Sequence, residues 1–295
     1  MNVDFELYRI FYVVANNGNI TKASQELLIS QPAVTKSIKK LEDALGGQLF
    51  VRTKKGVNLT NEGKEIYYYI KNAIEYINNA ENKFTNLKQL STGNIRIGIS
   101  TTLAKNFLMP YLNKFHTLYP NIKIEINNSL TTDLIEYLRK GTLDIVFLNL
   151  PFEEKNDVMI KPIKEIHDCF IVGKNYGHLK NTIFNINDLN NYPLILQRKR
   201  SNTRTFLDNF MKENNSILNS DMDIASYNLM IELVKIGFGI GFATREYINS
   251  ELKNGELIEL KIKQKIPPRH IAIATSKNTI PSFSTKKLIE IIEKK

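Results

Sequence analysis

A chain of 295 residues, 42% hydrophobic and 24% charged, is long enough for two or three cored domains and has the composition of a soluble globular protein. Forty Lys and Arg against thirty Asp and Glu leave a net charge of +10, which favours polyanionic partners, although solubility alone accounts for such a surplus. The single Cys169 excludes an internal disulfide framework and a cysteine-based zinc cluster. No apolar run reaches membrane-span length and MNVDFELYRI carries no secretory pattern, so a cytoplasmic protein with no membrane partner is expected.

Phe5, Tyr8, Phe11, Tyr12 and Ala15 recur at helical spacing and stop at Asn16-Asn17-Gly18. Asn19 is placed to cap a second helix, ITKASQELL, with Ala23 and Leu27 facing inward. Ile29 then leads into Ser30, the cap of a third helix, SQPAVTKSIKKLE, with Pro32 in its first turn. Val34, Ile38, Leu41 and Leu45 form one helical stripe, and Pro32, Thr35, Lys36, Lys39 and Lys40 point the other way. Two short helices joined by a tight turn, with small Ala23 at the close approach, match a helix-turn-helix. After Gly46-Gly47, LFVRTKKGVNLT reads as a strand, a turn at Lys54-Lys55-Gly56 and a second strand. That is a small wing carrying Arg52, Lys54 and Lys55.

A basic helix face alone is most often merely solvated. Here residues 31–55 hold six Lys and Arg against Glu42 and Asp43, within a motif whose second helix enters the major groove. Residues 31–36 are therefore expected at base edges, with Lys39, Lys40 and the wing on phosphates.

Thr60 can cap a long helix running to about Leu90. Ile66, Ala73, Ala80 and Leu87 repeat every seven residues, with Ile70, Ile77 and Phe84 between them, which is the period of a coiled-coil seam. An ordinary domain-packed helix would show a stripe that drifts. Ser91-Thr92-Gly93 ends the pattern and marks a domain boundary.

From Asn94 the pattern alternates strand and helix: NIRIGIS, a helix near 103–118, IKIEIN, LTTDLIEYLRKG and LDIVFLNL. It resumes with DCFIVG, PLILQ, a helix from Ser201 to about Glu213, MDIA, a helix near 226–236, GIGFA, HIAIAT and a last helix at 283–293. Such alternation argues for mostly parallel sheets with helices on their faces. Segments 161–167 and 261–268 read as two crossings between lobes. Ligands in such sheets sit beyond the carboxyl ends of strands, where helix amides begin. That rule nominates Ser100, Thr101, Thr102, Ser129 and Asn149 in one lobe, and Gln197, Ser201, Asn202 and Thr203 in the other, although Ser, Thr and Asn at helix starts are often only caps. The run RKRSNTR (198–204) crowds cations at a helix start and favours an anionic small molecule.

Three tempting signals carry little weight. GFGIG (237–241) follows a helix and enters a strand, the reverse of a nucleotide loop. His167-Asp168-Cys169 are adjacent and seldom meet as a catalytic set, and Cys169 opens an apolar strand. His116, His178 and His270 lack ligand spacing, so neither metal, cofactor nor catalytic residues are expected.

The run GNITKASQELLISQPAVTKSIKKLEDALGGQLFVRTKKGVNLTNEG resembles the DNA-binding domain of LysR-type transcriptional regulators in its Ala23, SQPA, LE, LG, LF, RT and LT-x-x-G features. The resemblance implies DNA contacts from Gln31, Pro32, Thr35 and Lys36 on the helix and from Arg52 on the wing. Lysines at 36, 39 and 40, where arginine is common, make bidentate guanine readout less favoured. Gly47-Gln48, in place of an apolar-then-basic pair, is expected to loosen the run into the wing. Weaker features, Ser-Thr-Thr after a strand, YP-x-I-x-I-x-I, G-x-LD and G-x-GI-x-F, resemble the family's effector domain, in which residues matching Ser100, Thr102, Ser129 and Thr203 commonly hold the effector.

The expected fold is an α+β two-part protein: an N-terminal winged helix-turn-helix (1–59), a linker and dimerisation helix (60–90), and an α/β two-lobed periplasmic-binding-protein-like effector domain (91–295). Its first lobe covers about 91–162 and 268–295, its second about 163–267. The expected function is a non-enzymatic transcriptional regulator, binding double-stranded DNA with an interrupted inverted repeat as a homodimer or homotetramer and answering to a small effector. RNA polymerase is a further candidate partner. A cytoplasmic solute-binding protein or a metabolic enzyme on the same scaffold is the alternative.

Overall fold

The computed structural model describes residues 3–53, 56–152 and 156–294, which divide into two compact units, Met1–Lys88 and Gln89–Lys295. In the first, α1 (Phe5–Asn17), α2 (Ile20–Leu27) and α3 (Gln31–Leu45) are each capped by a short polar side chain, Asp4, Asn19 and Ser30. Each accepts a backbone amide that the first turn leaves without a partner. Phe11, Val14, Ala23, Val34 and Leu41 are fully buried where the three helices meet. The wing is an antiparallel pair, β1 (Phe50–Thr53) and β2 (Gly56–Leu59), with Arg52 opposite Val57; Lys54 and Lys55 lie outside the described residues.

The helix α4 (Asn61–Lys88) starts where the Thr60 hydroxyl accepts the Gly63 amide at 2.8 Å. Ile66, Tyr67 and Ile70 pack against the winged-helix core. Two of the seven seam residues therefore serve the core of their own unit, and the five from Ala73 onward do not.

The second unit holds two five-stranded sheets. In the first, β3 (Gly93–Ile99) lies between β4 (Ile122–Asn127) and β5 (Ile145–Asn149), and the order is β4-β3-β5-β14-β6, with β6 at Val158–Ile166 and β14 at Arg269–Ser276. Its face toward Ile97 and Phe147 is covered by α5 (Thr101–Leu103), a π-turn through Leu108, α6 (Met109–Leu118) and α11 (Phe283–Glu293). Its face toward Val146 and Leu148 is covered by α7 (Thr131–Arg139). Burial on both faces explains why 145–148 read as a continuous apolar run.

The second sheet has the order β10-β9-β11-β7-β12, with β7 at Asp168–Gly173, β9 at Leu194–Gln197, β10 at Met222–Ile224, β11 at Ile240–Thr244 and β12 at Leu257–Glu259. Helix α8 (Asn202–Glu213) covers one face, and α9 (Tyr227–Lys235) with α10 (Asn249–Lys253) covers the other. A short parallel pair, β8 (Ile183–Phe184) with β13 (Lys261–Ile262), closes one end.

Segment 161–167 is not a free crossing. Residues 158–166 form β6 and pair with β14 along its length, so the chain crosses between lobes at His167 alone. The second crossing shortens as well, to 263–268, because Lys261 and Ile262 pair with β8. GFGIG follows the end of α9 and runs into β11, with the Gly237 amide donating to the Val234 carbonyl.

Candidate functional site

The exposed face of α3 is the first concentration of chemistry. Gln31, Pro32, Lys36, Lys39, Lys40 and Arg52 are exposed, and Thr35 is half-buried. Thr35, Lys39 and Arg52 line one 820 Å³ groove between α3 and the wing, together with Glu42 and Asp43. Gln31 is committed locally: its amide donates to the Thr21 hydroxyl at 2.5 Å, tying α3 to α2.

The run into the wing is firmly held, contrary to what Gly47-Gln48 suggests. The Glu42 carboxylate accepts the amides of Leu49 and Phe50 at 2.8 and 3.2 Å. The Thr60 hydroxyl donates to the Gln48 carbonyl at 2.8 Å, and the Thr60 amide to the Leu49 carbonyl at 2.9 Å. These four bonds replace the side-chain packing that the pair does not supply.

The second concentration is a 460 Å³ cleft between the two sheets of the C-terminal unit. All nine nominated residues, Ser100, Thr101, Thr102, Ser129, Asn149, Gln197, Ser201, Asn202 and Thr203, line it. The starts of α5, α7, α8 and α9 converge there, each offering partly positive backbone amides.

Individual roles differ from the expectation. The hydroxyls of Ser100 and Ser201 accept their own helix amides, from Leu103 and Arg204. Thr101 accepts from Asn128, and Ser129 donates to Asp133. Asn202 bridges the lobes: its amide donates to the carbonyls of Asn149 at 2.8 Å and Pro151 at 3.2 Å, and its oxygen accepts from Arg269 at 2.9 Å. Of the cations in RKRSNTR, Arg198 and Arg200 line the cleft, whereas Arg204 is 4% exposed and held by Asp208 and Asp223.

Arg269 and Asp168, both fully buried, form a two-pronged ion pair across the lobes, and Thr244, at the cleft, donates to Asp168 at 2.8 Å. Asp168 is thereby bound to structure and does not partner Cys169, whose thiol is buried and pushed well above its ordinary pKa by desolvation. The sequence reading missed Ser226, Tyr227, Thr244 and Tyr247, which also line the cleft. Ser226 and Thr244 stand at strand ends like the nominated residues, so the same rule reaches them; Tyr247 lies beyond its strand and carries no such signal.

The family model described as "Bacterial regulatory helix-turn-helix protein, lysR family" matches residues 5–64, and "LysR substrate binding domain" matches residues 88–295. The chain is similar to the HTH-type transcriptional activator CmpR of Synechocystis, with 28% identity over 89% of this chain and 86% of the relative. It is also similar to the RuBisCO operon transcriptional regulator of Allochromatium vinosum, at 24% identity over 89% and 86% of the two chains. In fold it resembles a full-length OxyR from Pseudomonas aeruginosa, with a TM-score of 0.81, 21% identity and 99% of both chains covered. It also resembles full-length CbnR complexed with its target DNA, with a TM-score of 0.62, 18% identity and 98% of both chains covered. Since the two models together account for almost the whole length, the chain belongs to the LysR family of DNA-binding transcriptional regulators.

Proposed function

We propose that α3 and its wing read DNA, that α4 pairs two copies, and that a small anion in the cleft changes how the pair engages DNA. Thr35 and Lys36 would meet base edges, with Pro32 and Gln31 beside them, while Lys39, Lys40 and Arg52 hold phosphates. Lys54 and Lys55 are assigned the same phosphate role from their place in the sequence. Pairing through α4 presents two α3 helices, so the target is an interrupted inverted repeat, bound by a homodimer or homotetramer. The effector acts only as far as its affinity differs between the two arrangements. This reading assigns the chain a role without catalysis, in the cytoplasm; that the relatives are named as transcriptional regulators supports the regulatory role.

One observation carries the reading: an exposed basic α3 face, on a unit whose wing is pinned to that same helix by Glu42. A gel shift on the chain's own upstream region tests it. Thr35→Ala and Lys36→Ala are each expected to weaken specific binding by about 1–3 kcal/mol while sparing non-specific affinity. Normal operator binding by both variants would refute the groove assignment.

A further inference from the structure

Three residues that line the cleft each carry a buried side-chain atom with no hydrogen-bond partner among the described residues: the hydroxyls of Tyr227 and Tyr247 and the Asn149 Oδ1. Tyr227 is 5% exposed, and its hydroxyl lies near the Thr244 backbone without meeting hydrogen-bond geometry. The two rings stand edge to face with centroids 6.3 Å apart. Buried polar atoms in folded proteins are nearly always paired, so three in one cleft point to a ligand rather than to packing. Desolvation raises both phenols above the ordinary tyrosine range, which keeps them neutral donors. Asn149 presents the complementary group, an acceptor.

The charges narrow the class further. Arg198 and Arg200 line the cleft, and none of its described lining residues is Asp or Glu. Asp133, in the first turn of α7, accepts from Ser129 and Thr132 and does not line the cleft. Two guanidinium groups and four helix starts favour an anion and repel an ammonium. A carboxylate accepts from the phenols, but a plain acid leaves Asn149 Oδ1 unpaired. An amino acid would satisfy Asn149 with a cation that has no acid to meet. Resting on the reading of the cleft as the effector site, we infer that its ligand is a small hydroxylated carboxylate, whose anionic end meets Tyr227 and Tyr247 and whose hydroxyl donates to Asn149.

The test uses the full-length protein, calorimetry and melting temperature, and four matched short-chain sets: 2-hydroxy acids, the deoxy acids, the 2-amino acids and the 2-hydroxy amides. Some hydroxy acid should bind, with its deoxy partner about tenfold weaker and the amino acid and amide weaker still. In Asn149→Ala the preference for the hydroxyl should vanish. Tyr227→Phe and Tyr247→Phe should keep or raise the melting temperature without ligand, yet lose about tenfold in affinity. Tighter binding of deoxy or amino acids overturns the inference, as do Phe variants that lose stability and keep affinity. Thr101→Trp, which fills the cleft, separates the two readings in a promoter-reporter strain. If no hydroxy acid binds but Thr101→Trp abolishes the promoter response, the ligand class falls and the effector reading stands. An unaltered response overturns the effector reading and the ligand class with it.

Discussion

Arg269 sits at the start of β14 with its guanidinium 4.7 Å above the Phe206 ring and both carboxylate oxygens of Asp168 in reach. Removing one member of such a pair leaves an uncompensated buried charge, which costs more than the intact pair contributes. Asp168→Asn is therefore expected to destabilise the C-terminal unit by about 3–5 kcal/mol in denaturant unfolding, with Asp168→Leu/Arg269→Met recovering much of the loss. Equal stability of the single and double variants would show that the pair is not coupled. Its neighbour Cys169 gives a pH signature. Burial holds the thiol neutral well above its free pKa of about 8.5, so the folded state keeps a proton that the unfolded state sheds. This contribution is present below that pKa and declines as pH rises beyond it. A thiol reagent at pH 8 should leave the native protein unmodified and label it on unfolding; rapid native labelling would contradict the buried thiol. The cleft was legible at this scale because strand ends and helix starts locate it, and all nine nominated residues line it. Their roles were not legible, since whether Asn202 binds a ligand or bridges two lobes depends on Arg269 and Pro151, which are distant in sequence.

The periodic helices were legible at the scale of elements: 3.6-residue stripes with polar caps place α1, α2, α3 and α8 almost to the residue. Strand β6 was not. VMIKPIKEI contains a proline and three charges and is an edge strand paired on one side only, so neither alternation nor hydrophobicity marks it. The ladder shifts register between Ile271 and Ala272, which accommodates Pro162 opposite Ala272. The wing is the reverse case: Gly47-Gln48 looked loose because Glu42 is seven residues from the amide it accepts. That distance turns Glu42 into the link between α3 and Arg52. Glu42→Ala should lower DNA affinity about tenfold with little change in global melting, while Glu42→Gln, which keeps an acceptor, restores most of it in a gel shift. Equal loss in both would mean that the charge, rather than the hydrogen bonds, matters.

At the scale of the whole molecule, the remaining question is what covers α4. Tyr69, Tyr76 and Ile77 are 67%, 77% and 41% exposed, and Ala73 and Ala80 lie on the same side of the helix. Large apolar side chains gathered on one helix face are unusual on a monomer and fit a second copy of the helix. Because Ile66 and Ile70 serve the winged-helix core, whereas Ile77 lies beyond it, the two functions can be separated by substitution. Ile77→Glu places a charge in the proposed seam without touching the fold of the N-terminal unit. Light scattering should then show a smaller assembly, with the melting of that unit unchanged. Two linked half-site contacts bind far more tightly than one, so affinity for a full inverted repeat should fall by about a hundredfold or more. Affinity for a single half-site should hardly move. A variant that keeps both its size and its preference for the full repeat would show that the pairing lies elsewhere, and the heptad pattern would then describe an ordinary helix with an apolar stripe.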